Sequence, residues 1–268
     1  MTSIEPTVTE GTRHAAHRTL RVLRTERVTP RMARVTLGGE ELAGYPPFAP
    51  DQRIKLFFPV AGQSRPAMPR ASSGGPVWPP GEPRPIIRSY TVRRFDPDAG
   101  ELDVDFVLHG EHGPAAEWAA RAEPGDWVGV SDPGGRYRPD ASAGAHLIIG
   151  DESALPAIAT VLDALRDFDG PIEAYIEVAD PAEEQPLPTT AATRPHWLHR
   201  GDAPPGRPLL DAVRAAELPT GVPPSRCQAW LSAEATAVRD IRAHLLDDRA
   251  LPRRMIYATG YWRATRPR

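Results

Sequence analysis

The sequence predicts an antiparallel six-stranded barrel followed by a small parallel α/β unit of the nucleotide-binding type. Three observations predict it. The first half carries six short β-rich runs separated by turn residues, the second half changes to strand–helix alternation after Pro139, and 268 residues suffice for two modest cores. The barrel unit is expected over residues 1–138 and the α/β unit over 139–268, with a hinge region at 138–144.

The barrel strands are expected at 19–23, 33–37, 54–58, 90–94, 102–108 and 127–131, each short and rich in Val, Ile, Leu or aromatic residues. Residues 59–85 are dense in Pro, Gly and Ser and predict a mobile loop, not an element. In the second half, 146–149 reads as a buried strand. Ala154, Ile158, Val161, Leu162 and Leu165 then recur at helical spacing, with Pro156 tolerated in the first turn. Further strands are expected at 172–178, 228–231 and 255–258. A helix marked by Val238, Ile241 and Leu245 precedes the last of them, with Ser232 as its cap and Glu234 in its first turn. The stretch 181–208 reads as a long connection holding one strand around Trp197, and the chain has no internal repeat.

Composition narrows the function. Lys and Arg number 32 against 35 Asp and Glu, and with a sequence pI near 6.3 this argues against a general nucleic-acid binder. The single cysteine, Cys227, excludes a disulfide framework and any metal site built from several thiolates, so a protein-held metal is not expected. The polar start, with Glu5 and Glu10, has no apolar core of a signal peptide, and no later stretch is long enough to cross a bilayer. A cytoplasmic monomer or weak dimer with small-molecule partners is the expectation.

The most informative segment is Arg88-Ser89-Tyr90-Thr91, with the strand-like run 102–108 and the following His109-Gly110-Glu111-His112-Gly113-Pro114-Ala115-Ala116. Alternation puts Arg88 and Tyr90 on one strand face and Ser89 and Thr91 on the other. A guanidinium and a phenol so placed can hold a phosphate and a flat ring, and Arg88 can fork onto two phosphate oxygens as Lys could not. Taken alone, Arg88 reads as a surface strand arginine and Tyr90 as a barrel-closing aromatic; their adjacency to Thr91 favours a ligand. Gly113 and Pro114 open a helix whose free N–H groups suit a pyrophosphate. Gly150-Asp151-Glu152-Ser153 stands where a dinucleotide fold places its glycine-rich turn, yet two carboxylates there would repel phosphate. Asp151 and Ser153 suit hydroxyls or an adenine amino group, and equally a cap for the following helix.

These strings, together with Asp103-Val104-Asp105-Phe106-Val107-Leu108, Trp118-Ala119, Ala154-Leu155-Pro156-Ala157 and Gly260-Tyr261-Trp262-Arg263, resemble the siderophore-interacting protein family of ferredoxin reductase-like flavoproteins. The resemblance runs in the family's order over nearly the whole chain. It implies noncovalent FAD, electrons from NADH, NADPH or a ferredoxin, and reduction of Fe(III) inside a siderophore to release Fe(II). It implies no acid, base or nucleophile from the protein, because the flavin converts a two-electron donation into one-electron steps. The FAD residues it implies are Arg88, Ser89, Tyr90, Thr91, Asp105, Val107, His109, Gly110, Gly113, Pro114, Ala115 and Ala116. To these it adds Asp151, Ser153 and Ala154 at the adenosine end or donor mouth, and Trp262 either over the flavin or packed between the domains. Lys55, the sole lysine, and Arg263 are the candidates for steering an anionic chelate; as an outward strand residue Lys55 also has a purely structural reading.

Two departures stand out: Ala116 replaces a frequent serine, and Ser153 replaces a usual threonine. The end of the chain six residues after Trp262, without the helix of ferredoxin-using members, leans toward a nicotinamide donor. The competing functions are a general flavin reductase feeding an oxygenase and a non-catalytic siderophore-binding module.

Overall fold

The computed structural model describes residues 17–70, 72, 74–108, 113–135 and 137–264. Its first half is a seven-stranded antiparallel sheet in the order β4-β3-β7-β1-β2-β6-β5. The strands are β1 (His17–Thr29), β2 (Met32–Gly38), β3 (Arg53–Phe58), β4 (Ile86–Thr91), β5 (Arg94–Asp96), β6 (Glu101–Val107) and β7 (Trp127–Ser131). In β1 the alternation of Leu20 and Val22 inward with Arg21 and Leu23 outward fixes the face turned to the core.

The seventh strand corrects the expected run 90–94. The chain pairs with β3 up to Thr91, and then the Arg93 N–H turns to donate to Asp103 O of β6 at 2.9 Å. The expected single strand is therefore split into β4 and β5, which serve opposite ends of the sheet. That turn brings β4 against β6 and rolls the sheet into a barrel around Leu20, Leu37, Leu56, Phe58, Leu102 and Phe106. Each such side chain contributes on the order of 1.5–3 kcal/mol on burial. The helix α1 (Pro114–Arg121) covers this core with Ala115, Ala116 and Ala119, beginning at Pro114 as fixed φ allows.

Residues 59–85 form no named strand or helix, although an isolated bridge joins Arg70 to Val77. The segment is laid onto the barrel: Pro66, Ala67 and Pro69 are buried, and Trp78 meets Phe57 at 6.3 Å between ring centroids. A side chain at Gly129 would collide with Met68 of this segment and with Phe57, so only glycine lets the loop lie so close to β7.

The second half is a five-stranded sheet, β10-β9-β8-β11-β12, parallel throughout. Its strands are β8 (Ala145–Asp151), β9 (Ile172–Val178), β10 (Thr193–His199), β11 (Cys227–Glu234) and β12 (Ile256–Trp262). Helix α2 (Leu155–Ala164) covers one face, packing Ile158, Val161 and Leu162 on Ile148, Ile176 and Trp230. Helices α3 (Arg207–Ala215) and α4 (Ala235–Asp247) cover the other with Leu209, Val213, Ile241 and Leu245. With both faces covered, β8 and β9 read as unbroken buried runs. Ser232 is not the cap of α4: it lies buried in β11, and Glu234 caps the helix by accepting from Thr236 N–H at 2.6 Å and Ala237 N–H at 3.0 Å.

The two sheets share packing. Met32 and Val107 of the barrel join the core under α2, and the Thr29 hydroxyl donates to Glu183 at 2.5 Å in the buried seam.

Candidate functional site

Strand β4 lies at one end of the barrel sheet, paired only with β3, so Arg88 and Ser89 reach solvent. Among the described residues the Arg88 guanidinium makes a single hydrogen bond, to its neighbour Ile87 O at 2.9 Å. Tyr90, on the same strand face as Arg88, leans on Phe106 with 4.4 Å between centroids, and burial pushes its phenol up to about 12. Thr91 is 5% exposed and faces the seam between the sheets. Helix α1 packs against β4 and β6, and its first turn has no side-chain cap. Helix α1 thus packs against the strand that exposes Arg88 on one face and Ser89 on the other. Ala115 and Ala116 are buried against the barrel, so their contribution to the site is through backbone N–H.

Other expected residues fall elsewhere. Asp105 is 5% exposed, and both its oxygens are taken by Arg34, at 2.7 and 2.9 Å. Its carboxylate is a strut between β2 and β6 and has no oxygen free for a cofactor. Val107 packs on the core shared with the second unit. His109 and Gly110 lie outside the described residues. Lys55 is exposed directly across from Ser89, and Arg263 is exposed beyond β12.

At the C-terminal edge of the parallel sheet the strand order reverses between β8 and β11, the position where α/β folds bind ligands. Here that position is filled by the chain itself. Asp151, 1% exposed, accepts from Ser153 N–H at 3.0 Å, Ser153 Oγ at 2.5 Å, Glu234 N–H at 2.9 Å and Trp262 Nε1 at 2.7 Å. Burial, followed by the neighbouring charge of Glu152, raises its carboxyl to about 7 despite these donors. Glu177 accepts from Gly206 N–H and Leu209 N–H at the start of α3, and Arg200 clamps Glu177 and Glu152 together. Asp151 caps the 3-10 turn that leads into α2, not α2 itself, and Ser153 lies within that turn as a donor to Asp151. The adenosine contact expected of Asp151 and Ala154 has no surface to act through, since Ala154 is wholly buried. Trp262, expected over the flavin, has its indole N–H committed to Asp151.

A second polar group was not legible in the sequence. Asp51, wholly buried with φ of 53°, accepts from the Tyr261 hydroxyl at 2.5 Å, while its own N–H donates to Thr160 Oγ1 of α2 at 3.1 Å. Arg53 donates to the Tyr257 hydroxyl at 2.9 Å. Burial and the Asp51 charge raise the Tyr261 phenol well above its ordinary range, partly offset by the adjoining Thr91 hydroxyl. This junction links the end of the cradle strand β4 to β12. Only the fold brings residues so far apart in sequence together: Tyr261 belongs to a string singled out in the sequence, but Pro50-Asp51-Gln52 carries no motif that would pair Asp51 with it.

An antiparallel barrel with an uncapped helix, joined to a doubly wound parallel sheet, defines the ferredoxin reductase-like class of flavin-binding architecture. Within that class, residues 21–137 match the model of the siderophore-interacting FAD-binding domain, and residues 143–265 that of the siderophore-interacting protein. The chain is 32% identical over 250 residues to the ferric vibriobactin reductase ViuB of Vibrio cholerae, covering 92% of this chain and 89% of that one. It is 31% identical over 249 residues to an NADPH-dependent ferric-chelate reductase of Escherichia coli, covering 92% and 93%. A siderophore utilization protein from T. fusca superposes with a TM-score of 0.76 at 39% identity, covering 93% and 94%. The chain belongs to the siderophore-interacting protein family.

Proposed function

We propose that this protein is an FAD-dependent ferric-siderophore reductase that draws electrons from NADH or NADPH and releases Fe(II) from the chelate. The observation that carries the reading is a contrast among helix starts. In the second unit, Asp151, Glu177 and Glu234 fill the N–H groups at the starts of the 3-10 turn before α2, of α3 and of α4. Helices α1 and α2 have no side-chain acceptor at their own starts among the described residues, but α2 is led in by the Asp151-capped 3-10 turn, whereas α1 follows no capped turn and packs against the strand of the exposed Arg88. An unfilled helix start next to a free guanidinium fits a dianionic pyrophosphate.

Bound there, FAD would supply the redox chemistry by taking two electrons and giving them singly. The chain's own work is to bind and orient. Arg88 and the first turn of α1 would hold the pyrophosphate, and Tyr90, backed by Phe106, would meet the ring, while Thr91, buried toward the seam, supports the strand from its other face. Lys55 and Arg263, both exposed, are the proposed steering charges for an anionic chelate. A nicotinamide donor is preferred over ferredoxin because the E. coli relative is named for NADPH dependence. The carboxylate-filled edge of the second sheet implies that the donor's own phosphates lie away from the β8/β11 switch point.

The test is steady-state turnover with NADH, NADPH or a reduced ferredoxin system, with a ferric siderophore as acceptor and a colorimetric Fe(II) trap. Turnover with a nicotinamide supports the reading. Turnover with free flavin alone as acceptor would assign the protein to the flavin reductases instead.

A further inference from the structure

Buried charge, a left-handed backbone and close packing coincide at one residue. Asp51 stands two residues before β3, wholly buried with a φ of 53°, and a Cβ at Gly135 would come within 2.7 Å of its carbonyl oxygen. Such features persist only where the surrounding structure over-determines them, and they cluster at active sites, clamps and switch regions. We propose that Asp51 is a positioning residue for the step in which the nicotinamide donor passes its hydride to the flavin, acting through Tyr261 on the end of the cradle strand. The inference rests on the proposed function and deepens it by assigning this junction to one half of the reaction.

Three observations carry it. First, the junction gathers elements of both units. The Asp51 carboxylate accepts from the Tyr261 hydroxyl of β12 at 2.5 Å, with the Tyr257 hydroxyl beside it, and the Asp51 N–H donates to Thr160 Oγ1 of α2 at 3.1 Å. Tyr257 is held in turn by Arg53 of β3, at 2.9 Å.

Second, the junction ends on the cradle. Arg53 pairs with Thr91, Val92 N–H donates to Gln52 O at 2.8 Å, and the Thr91 hydroxyl adjoins that of Tyr261. Tyr90, which would meet the flavin ring, immediately precedes Thr91. Its backbone is therefore fixed one residue away from a link to the second unit.

Third, the same strand reaches the ligand edge of the parallel sheet. Tyr261 and Trp262 are consecutive in β12 and point to opposite faces, Tyr261 to Asp51 and Trp262 to Asp151 at the β8/β11 switch point. A bonded path thus runs from Thr91 through Tyr261 and Trp262 to Asp151. It joins the cradle strand to the edge where α/β sheets bind ligands.

The two halves of the reaction depend differently on this path. Hydride transfer breaks a C–H bond on the nicotinamide and makes one on the flavin, with the reacting atoms roughly 3–3.5 Å apart, so a shift of about 1 Å between the units can slow it on the order of 100-fold. Reoxidation passes single electrons to a chelate arriving from solvent. It requires no fixed register between barrel and sheet.

Stopped-flow kinetics on the FAD-loaded protein separate the halves. Flavin reduction by NADH and by NADPH is followed anaerobically, and the chemically reduced protein is mixed with a ferric siderophore and an Fe(II) trap. Tyr261→Phe is expected to lower the limiting rate of flavin reduction on the order of 10–100-fold, with the isotope effect of 4-deuterated nicotinamide showing that the transfer itself is slowed. Reoxidation by the chelate should stay within about twofold, which also reports that the variant is folded and holds its flavin. Asp51→Asn, which keeps an acceptor but loses the charge, should fall between Tyr261→Phe and the unaltered protein. Thr29→Val, which removes the other seam bond, to Glu183, should leave both halves within about twofold. Unchanged flavin reduction in Tyr261→Phe, reoxidation that falls as far as reduction, or equal slowing in Thr29→Val would overturn the positioning role and leave the proposed function standing. If the unaltered protein binds no flavin, or its flavin is reduced by neither nicotinamide, the proposed function falls and the positioning role with it.

Discussion

The Tyr261 hydroxyl donates to Asp51 Oδ1 at 2.5 Å across the seam between the two sheets. Asp51 is wholly buried, and its backbone sits at a φ of 53°, in the left-handed region that Asp and Asn reach more readily than most residues. The Tyr257 hydroxyl also neighbours its carboxylate, but the Tyr261 hydroxyl makes the short bond on which the buried group chiefly depends. Tyr261→Phe is therefore expected to destabilise the protein by about 1–3 kcal/mol in urea unfolding. Asp51→Asn, which keeps an oxygen acceptor and tolerates the backbone, should cost less. In the double-substituted protein the effects should be non-additive by more than about 0.5 kcal/mol. Additive effects would mean that the bond is not a working link across the seam.

Arg88 makes no contact on which the barrel depends, since its guanidinium bonds only to Ile87 O among the described residues. Arg88→Ala should leave the melting temperature of the apoprotein within about a degree and weaken FAD on the order of 10–100-fold, the loss of a charge-assisted pair worth about 1.5–3 kcal/mol. Arg88→Lys should recover only part of this, because an ammonium cannot fork onto two oxygens. Isothermal titration of FAD into each apoprotein decides the point. Equal affinity in all three would remove Arg88 from the site.

Two buried groups oppose one another in acid. His146 is wholly buried, and burial, partly offset by the Asp140 backbone and carboxylate, lowers it from 6.5 to about 4. Between those values the unfolded chain binds a proton that the folded chain refuses, so His146 drains stability as pH falls from about 6.5 to about 4. Asp151, raised from 3.8 to about 7, does the reverse: the folded chain holds a proton that the unfolded chain has released, so stability is gained as pH falls toward 4. Each slope reaches at most about 1.4 kcal/mol per pH unit. The unaltered protein should thus change little from this pair over that window. His146→Leu should grow more stable on acidification, and Asp151→Asn less stable, as read from urea midpoints between pH 4.5 and 7. Parallel curves for all three proteins would contradict the assignment.

Gly150 lies where β8 turns toward α2. A Cβ there would come within 2.8 Å of Ala154 Cβ and of Ser232 O, so the close packing at the switch point requires glycine. Gly150→Ala should cost about 1–3 kcal/mol through overpacking. Thermal unfolding measures it, and an unchanged melting temperature would show that the turn relaxes freely.

Both sheets were legible in the sequence because their strands are short, apolar and bounded by turn residues, and because the change of rhythm after Pro139 is a change of period. The split of 90–94 was not, since pairing partners decide where that strand ends and Val92 and Arg93 have no turn chemistry of their own. At the site, Arg88, Tyr90 and the Gly113–Pro114 helix start were readable from local pattern. The commitment of Asp105 to Arg34 and of Trp262 to Asp151 was not, because each pairing joins distant segments. The carboxylates of the Gly150-Asp151-Glu152-Ser153 turn were legible at the strand-to-helix junction. That they close the crevice by capping and by holding Trp262 required the fold.

The central claim is tested most directly by a single-turnover experiment on the FAD-loaded protein. The protein is reduced anaerobically, mixed with a ferric siderophore in an Fe(II) trap, and the flavin absorbance and trapped iron are followed together. The account predicts return of the oxidised flavin spectrum in step with two Fe(II) per FAD. Flavin that stays reduced in the presence of the ferric siderophore, yet reoxidises when a quinone is added, would contradict it.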